Sequence, residues 1–161
     1  DRRRLSLTFF DVKNNHSPKI NKKKITVFGG EQLRPNLHIQ DYCDVVQILM
    51  ESPKEKINKQ IFNVGYQNKS IMEIAKIVKD VITKSESNKN EIKIEVTSSD
   101  DNRSYHINSD KIYKYLNFKP KHTIENAVEE LINYFSKKNL SDTFTNDFYH
   151  NVKRILNFEN K

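Results

Sequence analysis

The chain has 161 residues, 35 % hydrophobic and 30 % charged. That is enough apolar material for one globular unit, read as a single domain over 1–161, and too little for two full domains. No apolar run approaches the roughly 18 residues that cross a bilayer, and the opening DRRRLSLTFF lacks the small-residue cleavage site of a signal peptide, so a soluble, cytoplasmic chain is expected. The net charge of +7 admits an anionic partner, but the lysines are scattered and no basic-aromatic interleaving accompanies them, which argues against a nucleic-acid binder.

Residues 24–28 (KITVF) are β-branched and stop at Gly29-Gly30, the pattern of a strand and its turn. The preceding Lys22 and Lys23, with Lys24, read as a solvated loop rather than a phosphate-binding patch. Residues 36–39 (NLHI) read as a second short strand, reached through Arg34-Pro35 because proline pushes the residue before it toward extended backbone. Asp41 is then placed to cap a helix carrying Tyr42, Val45, Val46, Leu49 and Met50 at helical spacing and closed by Pro53. Cys43, the single cysteine, falls inside this amphipathic pattern and is expected to be a buried, inert thiol.

Residues 61–64 (IFNV) are apolar almost throughout and end at Gly65, which predicts a strand buried on both faces. Ser70 and Glu73 form a capping box that opens a helix with Ile71, Ile74, Ala75, Val78, Val81 and Ile82 along one side. After a polar, mobile loop at 84–90, residues 91–97 (EIKIEVT) alternate with period two, as a strand with one wet face does. Asn108 is placed to cap a short helix through Leu116, which Asn117 can end in a left-handed conformation. Pro120 precedes a helix capped by Thr123, with Ile124, Ala127, Val128, Leu131, Ile132 and Phe135 spaced for one buried face. From residue 140 the chain carries Phe144, Phe148, Tyr149 and Phe158, predicting a final helix packed on the body. Short strands alternating with helices give an α/β class with at least partly parallel pairing.

Recognisable catalytic chemistry is sparse. The three glycines, Gly29, Gly30 and Gly65, build neither G-x-G-x-x-G nor a P-loop, so no cofactor loop is read on this chain. His16, His38, His106, His122 and His150 are far apart in sequence and none pairs with Cys43 at ligand spacing, so no metal site is expected. Tyr149 precedes Lys153 at the spacing of a catalytic Y-x-x-x-K pair, but near the end of the chain and far from any nucleotide loop. Asp100-Asp101 has two readings, a general acid/base pair or carboxylates that bond loop amides at a strand-to-loop junction; the loop reading is preferred.

Four stretches, in order, carry a family likeness: ITVFGGEQLRPNLHIQDY, QIFNVG with SIMEIAKIV after it, DDNRSYHINSDKIYKYLNFKP and TIENAVEEL. Over residues 25–135 the chain resembles the C-terminal, substrate-binding portion of the extended short-chain dehydrogenase/reductases, the NAD-dependent epimerase/dehydratase family. The resemblance implies a Rossmann-type α/β architecture, with the 140–161 tail helical and the N-terminal NAD-binding domain absent from this chain. It implies the substrate-binding portion of a nucleotide-sugar epimerase or dehydratase similar to UDP-glucose 4-epimerase. Such a portion is not catalytic on its own, because the glycine loop and the catalytic Tyr-x-x-x-Lys pair belong to the other half, where NAD would bind.

The same resemblance assigns substrate-binding roles. Arg34 and Arg103 would grip the diphosphate of the nucleotide-sugar, and a guanidinium suits that task because its planar fork meets two phosphate oxygens at once. Only six arginines occur and three crowd positions 2–4, which makes these two conspicuous in a lysine-rich chain. Asp101 would orient Arg103 or touch the sugar or base, Tyr105 would form a pocket wall, and Val27, within residues 26–28, would line the nucleotide through its backbone. Two plainer readings stand beside these: Arg103 as a surface ion pair with Asp100 or Asp101, and Arg34 as a cap on a strand end. The implied partners are a nucleotide-sugar and either a separately encoded Rossmann half or a second copy of the chain, since the 61–64 strand would otherwise present an open edge. The alternative function is a non-catalytic module that binds a nucleotide-sugar or a protein.

Overall fold

The structure, a computed structural model, describes residues 24–85, 91–100, 103–137 and 151–159. The chain divides into two compact units, Asp1–Glu130 and Leu131–Lys161.

In the first unit β1 (Lys24–Phe28) forms as the sequence predicts, and its alternating burial puts Ile25 and Val27 at 4 % and 2 % exposure. β2 (Leu33–Asn36) follows the Gly29-Gly30 turn. Next come α1 (Ile39–Glu51), the short α2 (Lys54–Ile57), β3 (Gln67–Ser70) and α3 (Ile71–Ser85). β4 (Lys93–Thr97), α4 (Asp110–Leu116) and α5 (Ile124–Lys137) complete the run, the last turns of α5 from Leu131 belonging to the second unit. In the second unit, α6 (Asn151–Glu159) is the described helix of the tail, and Arg154 lies 5.5 Å over its Phe158 ring.

Two small sheets organise the first unit. β1 and β4 pair in parallel, Lys24 opposite Lys93 and Phe28 opposite Thr97, which meets the expectation of parallel strands in an α/β fold. β2 and β3 pair antiparallel, Leu33 opposite Ser70 and Asn36 opposite Gln67. α3 packs against β1 and β3. Its Ile74, Ala75, Val78, Val81 and Ile82 are buried, five of the six positions that the helical period selects. Its start is the capping box: Ser70 N donates to Glu73 Oε2 at 2.8 Å and Glu73 N to Ser70 Oγ at 3.1 Å. A second buried cluster joins Val45 of α1, Ile112 of α4 and Phe118, with Ile48, Leu49, Phe62, Val64 and Leu116 packed around it.

Asn117 ends α4 at φ 52°, the left-handed cap expected of it. Thr123 caps α5 as expected, its Oγ1 accepting from Asn126 N at 3.3 Å. For α4 the N-cap position is Ser109, whose hydroxyl is engaged with the Gly65 backbone; Asn108 still serves the helix start, its Oδ1 accepting from Asp110 N at 2.8 Å.

Four expectations are corrected. The strand predicted at 36–39 sits at Leu33–Asn36, and α1 begins at Ile39, because His38 accepts from Gln40 N at 3.1 Å and so caps the helix. Asp41 is therefore not the cap; it lies in the first turn, 1 % exposed, and bonds residues 121–122 instead. Cys43 is exposed rather than buried. The α1 core face is Val45, Ile48 and Leu49, while Tyr42, Val46 and Met50, at 55 %, 39 % and 82 % exposure, stand on a different face with Cys43 beside them.

The fourth correction concerns residues 61–64, predicted as a doubly buried strand. They form no strand; Phe62 and Val64 pack on the second cluster while Ile61 is 82 % exposed. The strand is the polar Gln67–Ser70, whose side chains act as connectors. Asn68 Nδ2 donates to Ile107 O at 3.0 Å and its Oδ1 accepts from Ile107 N at 2.9 Å, while Gln67 Oε1 accepts from Ile124 N at 2.7 Å. Hydrogen bonding of this kind outweighs strand propensity, which reports packing on a half-buried surface rather than an intrinsic backbone preference.

Candidate functional site

Because β1 and β4 run parallel, their carboxyl ends lie side by side, and Gly29 N extends the pairing one step by donating to Thr97 O at 2.9 Å. The two segments that leave this end carry the arginines singled out by the sequence. Residues 29–32 lead into β2 and Arg34, and Arg103 follows β4 in the chain. In open α/β sheets the carboxyl ends of the strands are where ligands bind.

Among the described residues, one backbone–backbone and two side chain–backbone hydrogen bonds join the two segments. Tyr105 N donates to Leu33 O at 3.0 Å, Leu33 N to Ser104 Oγ at 2.9 Å, and Arg34 Nη1 to Arg103 O at 2.5 Å. Arg34 Nη1 also donates to Leu33 O at 2.9 Å, and its guanidinium lies 5.4 Å over the ring of Tyr105, which is 47 % exposed. Arg34, Arg103 and Tyr105 are thus brought together although about 70 residues of sequence separate them. Val27 is next to this end but its side chain is 2 % exposed, so any contact it makes beyond the core runs through its backbone. Asp101 lies outside the described residues, as do Lys22, Lys23 and Tyr149.

Electrostatically, the Arg34 guanidinium is set against two backbone carbonyls, those of Leu33 and Arg103, which accept its N–H groups. A different feature sits on α1: Tyr42, Cys43, Val46, Gln47, Met50 and Glu51 line an open, largely apolar depression that contains neither arginine. Among the described residues no three His, Cys, Asp or Glu side chains group as a metal site, and no helix is long and apolar enough to cross a membrane.

Sequence reasoning missed the residues that hold this site together. Gln32, 7 % exposed, turns its side chain over Gly29, its Oε1 accepting from Gly30 N at 2.7 Å. Ser104 fixes Leu33, and Ser109 Oγ both accepts from Gly65 N and donates to Gly65 O, each at 2.9 Å. For the two serines the only sequence signal is a run of Ser and Asn in a polar segment, the residue types that bond backbone groups locally.

NAD, the cofactor that the resemblance implies, finds no cradle at the glycine turn. Gly29 and Gly30, at φ 78° and 128°, follow a strand as a dinucleotide loop does, but β2 rather than a helix comes next. A Cβ on Gly29 would lie 2.2 Å from Gln32 Nε2, so the space a pyrophosphate would need is filled from within. The described residues do not fit the cofactor here.

Comparison with known proteins bears on the fold. A family model described as the NAD dependent epimerase/dehydratase family matches residues 9–65. The dTDP-glucose 4,6-dehydratase of Shigella flexneri is 22 % identical over 119 residues, which cover 70 % of this chain and 32 % of that protein. L-Threonine dehydrogenase from Clostridium difficile matches with a TM-score of 0.63 at 18 % identity, over 84 % of this chain and 40 % of its own. UDP-glucuronic acid 4-epimerase from Bacillus cereus, solved in complex with UDP-glucuronic acid and NAD, matches with a TM-score of 0.58 at 18 % identity, over 71 % and 36 %. At such identities the solved structures speak for the fold. The chain spans about a third of the length of the curated relatives it matches. Over residues 9–65 the chain is similar to the NAD-dependent epimerase/dehydratase family, and its α/β architecture is like that of the solved structures.

Proposed function

We propose that this chain is the substrate-binding portion of an NAD-dependent nucleotide-sugar epimerase or dehydratase resembling UDP-glucose 4-epimerase. It holds the substrate's diphosphate at Arg34 and Arg103 and does not catalyse the reaction alone. One observation carries the reading: Arg34 Nη1 meets Arg103 O at 2.5 Å beside the carboxyl ends of a parallel strand pair. Two arginines gathered there suit a doubly charged pyrophosphate better than a single carboxylate. A ligand solved with one structural neighbour, UDP-glucuronic acid, has that chemistry.

In this reading hydride transfer belongs to a nucleotide-binding portion carried elsewhere, working with this chain in the cytoplasm. NAD binds to that portion, and the apolar side chains left outside the core of this unit, Ile39, Met50 and Ile61 at 70 %, 82 % and 82 % exposure, are surface for it to cover.

Calorimetric titration with UDP-glucose and dTDP-glucose tests the proposal. Saturable binding is expected, weakened tenfold or more by Arg103→Ala, in keeping with the ~1.5–3 kcal/mol of a hydrogen bond to a charged group. A folded chain that gives no heat with either nucleotide-sugar refutes it.

A further inference from the structure

Two histidines stack at the start of α1, and their protons are held on opposite nitrogens. An imidazole with one proton has one nitrogen that donates and one that accepts. His38 Nδ1 accepts from Gln40 N at 3.1 Å, so it is bare, and the ring proton sits on Nε2, 3.2 Å from Glu130 Oε2. Both nitrogens are engaged, and the side chain is 7 % exposed. His122 lies over it with centroids 4.8 Å apart and ring planes 26° apart, its proton on Nδ1 toward Asp41. A proton added at His122 Nε2 displaces no hydrogen bond among the described residues. A proton added to His38 has only Nδ1 to go to, and there it turns the acceptor of Gln40 N into a second donor.

We infer that His38 is a proton-operated cap on α1. The neutral ring holds the helix start through Nδ1; protonation releases Gln40 N, while the Nε2–H bond to Glu130 of α5 remains and becomes charge-assisted. Among the described residues, the titratable groups that face this ring are Glu130 of α5, His122 from the segment before α5, and Asp41 of α1 beyond His122. Glu130 and Asp41 attract a charged His38, and a charged His122 repels it. The cap opens while the tie from Asp41 to residues 121–122 stays closed. Imidazole ordinarily titrates between about pH 5 and 8, whereas the Asp41 carboxyl is held below its ordinary 3.8 and keeps its charge there. Only Leu37 separates this cap from the end of β2, the strand that carries Arg34.

The test follows ring nitrogens and backbone amides of the full chain by NMR from about pH 8 down to about pH 5. At the upper end His38 should show the Nε2–H tautomer and His122 the Nδ1–H tautomer. As the pH falls, the Gln40 amide should shift with the same midpoint as the His38 ring. Its protection from exchange, taken against the unstructured rate at each pH, should drop about fivefold, the factor that a cap of ordinary strength is worth. The buried Ile112 amide should keep its protection throughout, as the control for global stability. His38→Asn supplies a cap that takes no proton, and in it Gln40 should stay protected across the whole range. The wild-type tautomers and shifts decide the matter even if that variant fails to fold. An Nδ1–H tautomer at His38, or a Gln40 amide that does not follow the His38 ring, overturns the inference. So does a Gln40 response that persists in His38→Asn, or one accompanied by equal loss of protection at Ile112.

Discussion

Asp41 and His122 form the tie between the first turn of α1 and the start of α5. Asp41 Oδ1 lies 2.8 Å from His122 Nδ1, which must carry the proton because a carboxylate only accepts. The same carboxylate accepts from Lys121 N and His122 N, both at 3.0 Å. The His122 ring in turn stacks on His38, the cap of α1, with centroids 4.8 Å apart, and His38 Nε2 reaches Glu130 Oε2 at 3.2 Å. A buried acid with three donors is a structural anchor, and it sits seven residues beyond Arg34.

Replacing Asp41 by Asn keeps the shape and removes both the charge and half of the accepting capacity. Stability should fall by about 2–3 kcal/mol, the cost of leaving donors to a charged group poorly met. Urea unfolding of Asp41→Asn against wild type measures it; a loss under about 0.5 kcal/mol would mean the tie is ornamental.

The pH dependence follows from the same residue. Burial pushes the Asp41 carboxyl up, but the amides of Lys121 and His122 and the His122 ring outweigh it and hold the group below its ordinary 3.8. A depressed carboxyl contributes stability that is fully present above the unfolded value and disappears as pH falls through the folded one. Wild type should therefore lose this contribution only below about pH 4, and Asp41→Asn should show a shallower acid limb in its unfolding profile. Glu73 shares the direction, held down by the Ser70 amide, Lys69 and the Ser70 hydroxyl.

The placement of residues 61–64 and α4 is tested by a pair of truncations. Ile112 is 0 % exposed and Ile61 82 %. Ile112→Ala should cost about 2–5 kcal/mol and Ile61→Ala should stay within about 0.5 kcal/mol. Equal losses in thermal or urea unfolding would return Ile61 to the interior, as the doubly buried strand required.

At the glycine turn, Gly29→Ala meets two obstacles. The backbone is left-handed at φ 78°, and the new Cβ would lie 2.2 Å from Gln32 Nε2. Gly29→Ala should destabilise by more than the ~1–2 kcal/mol of the conformation alone. Gly29→Ala/Gln32→Ala should recover part of the loss, because only the collision is removed. No recovery would show that Gln32 does not occupy that space.

How far the sequence could be read depended on where the determining forces act. β1, the Ser70/Glu73 box, the buried side of α3, the Asn117 turn and the Thr123 cap were legible because their causes lie within one element: β-branching, helical period, and side chains that bond the adjacent backbone. Arg34 and Arg103 stood out as arginines among lysines, and a family likeness gave them a shared purpose. What was not legible depends on distant partners. Asp41 looks like a cap until Lys121 and His122 fold onto it 80 residues later. Residues 61–64 look like a strand because they are apolar, whereas Gln67–Ser70 pairs because its side chains bond Ile107 and Ile124. Cys43 shares its helix with two separate apolar faces, and periodicity alone could not say which of them meets the core.

The central claim is tested most directly by titrating isotopically labelled protein with UDP and following backbone and arginine side-chain resonances. The account predicts saturable shifts concentrated on Arg34, Arg103, Ser104 and Tyr105 and on the 29–32 turn, lost in Arg103→Ala while the rest of the spectrum is preserved. Shifts spread over scattered lysines, or confined to the exposed face of α1 at Tyr42, Val46 and Met50, would contradict it.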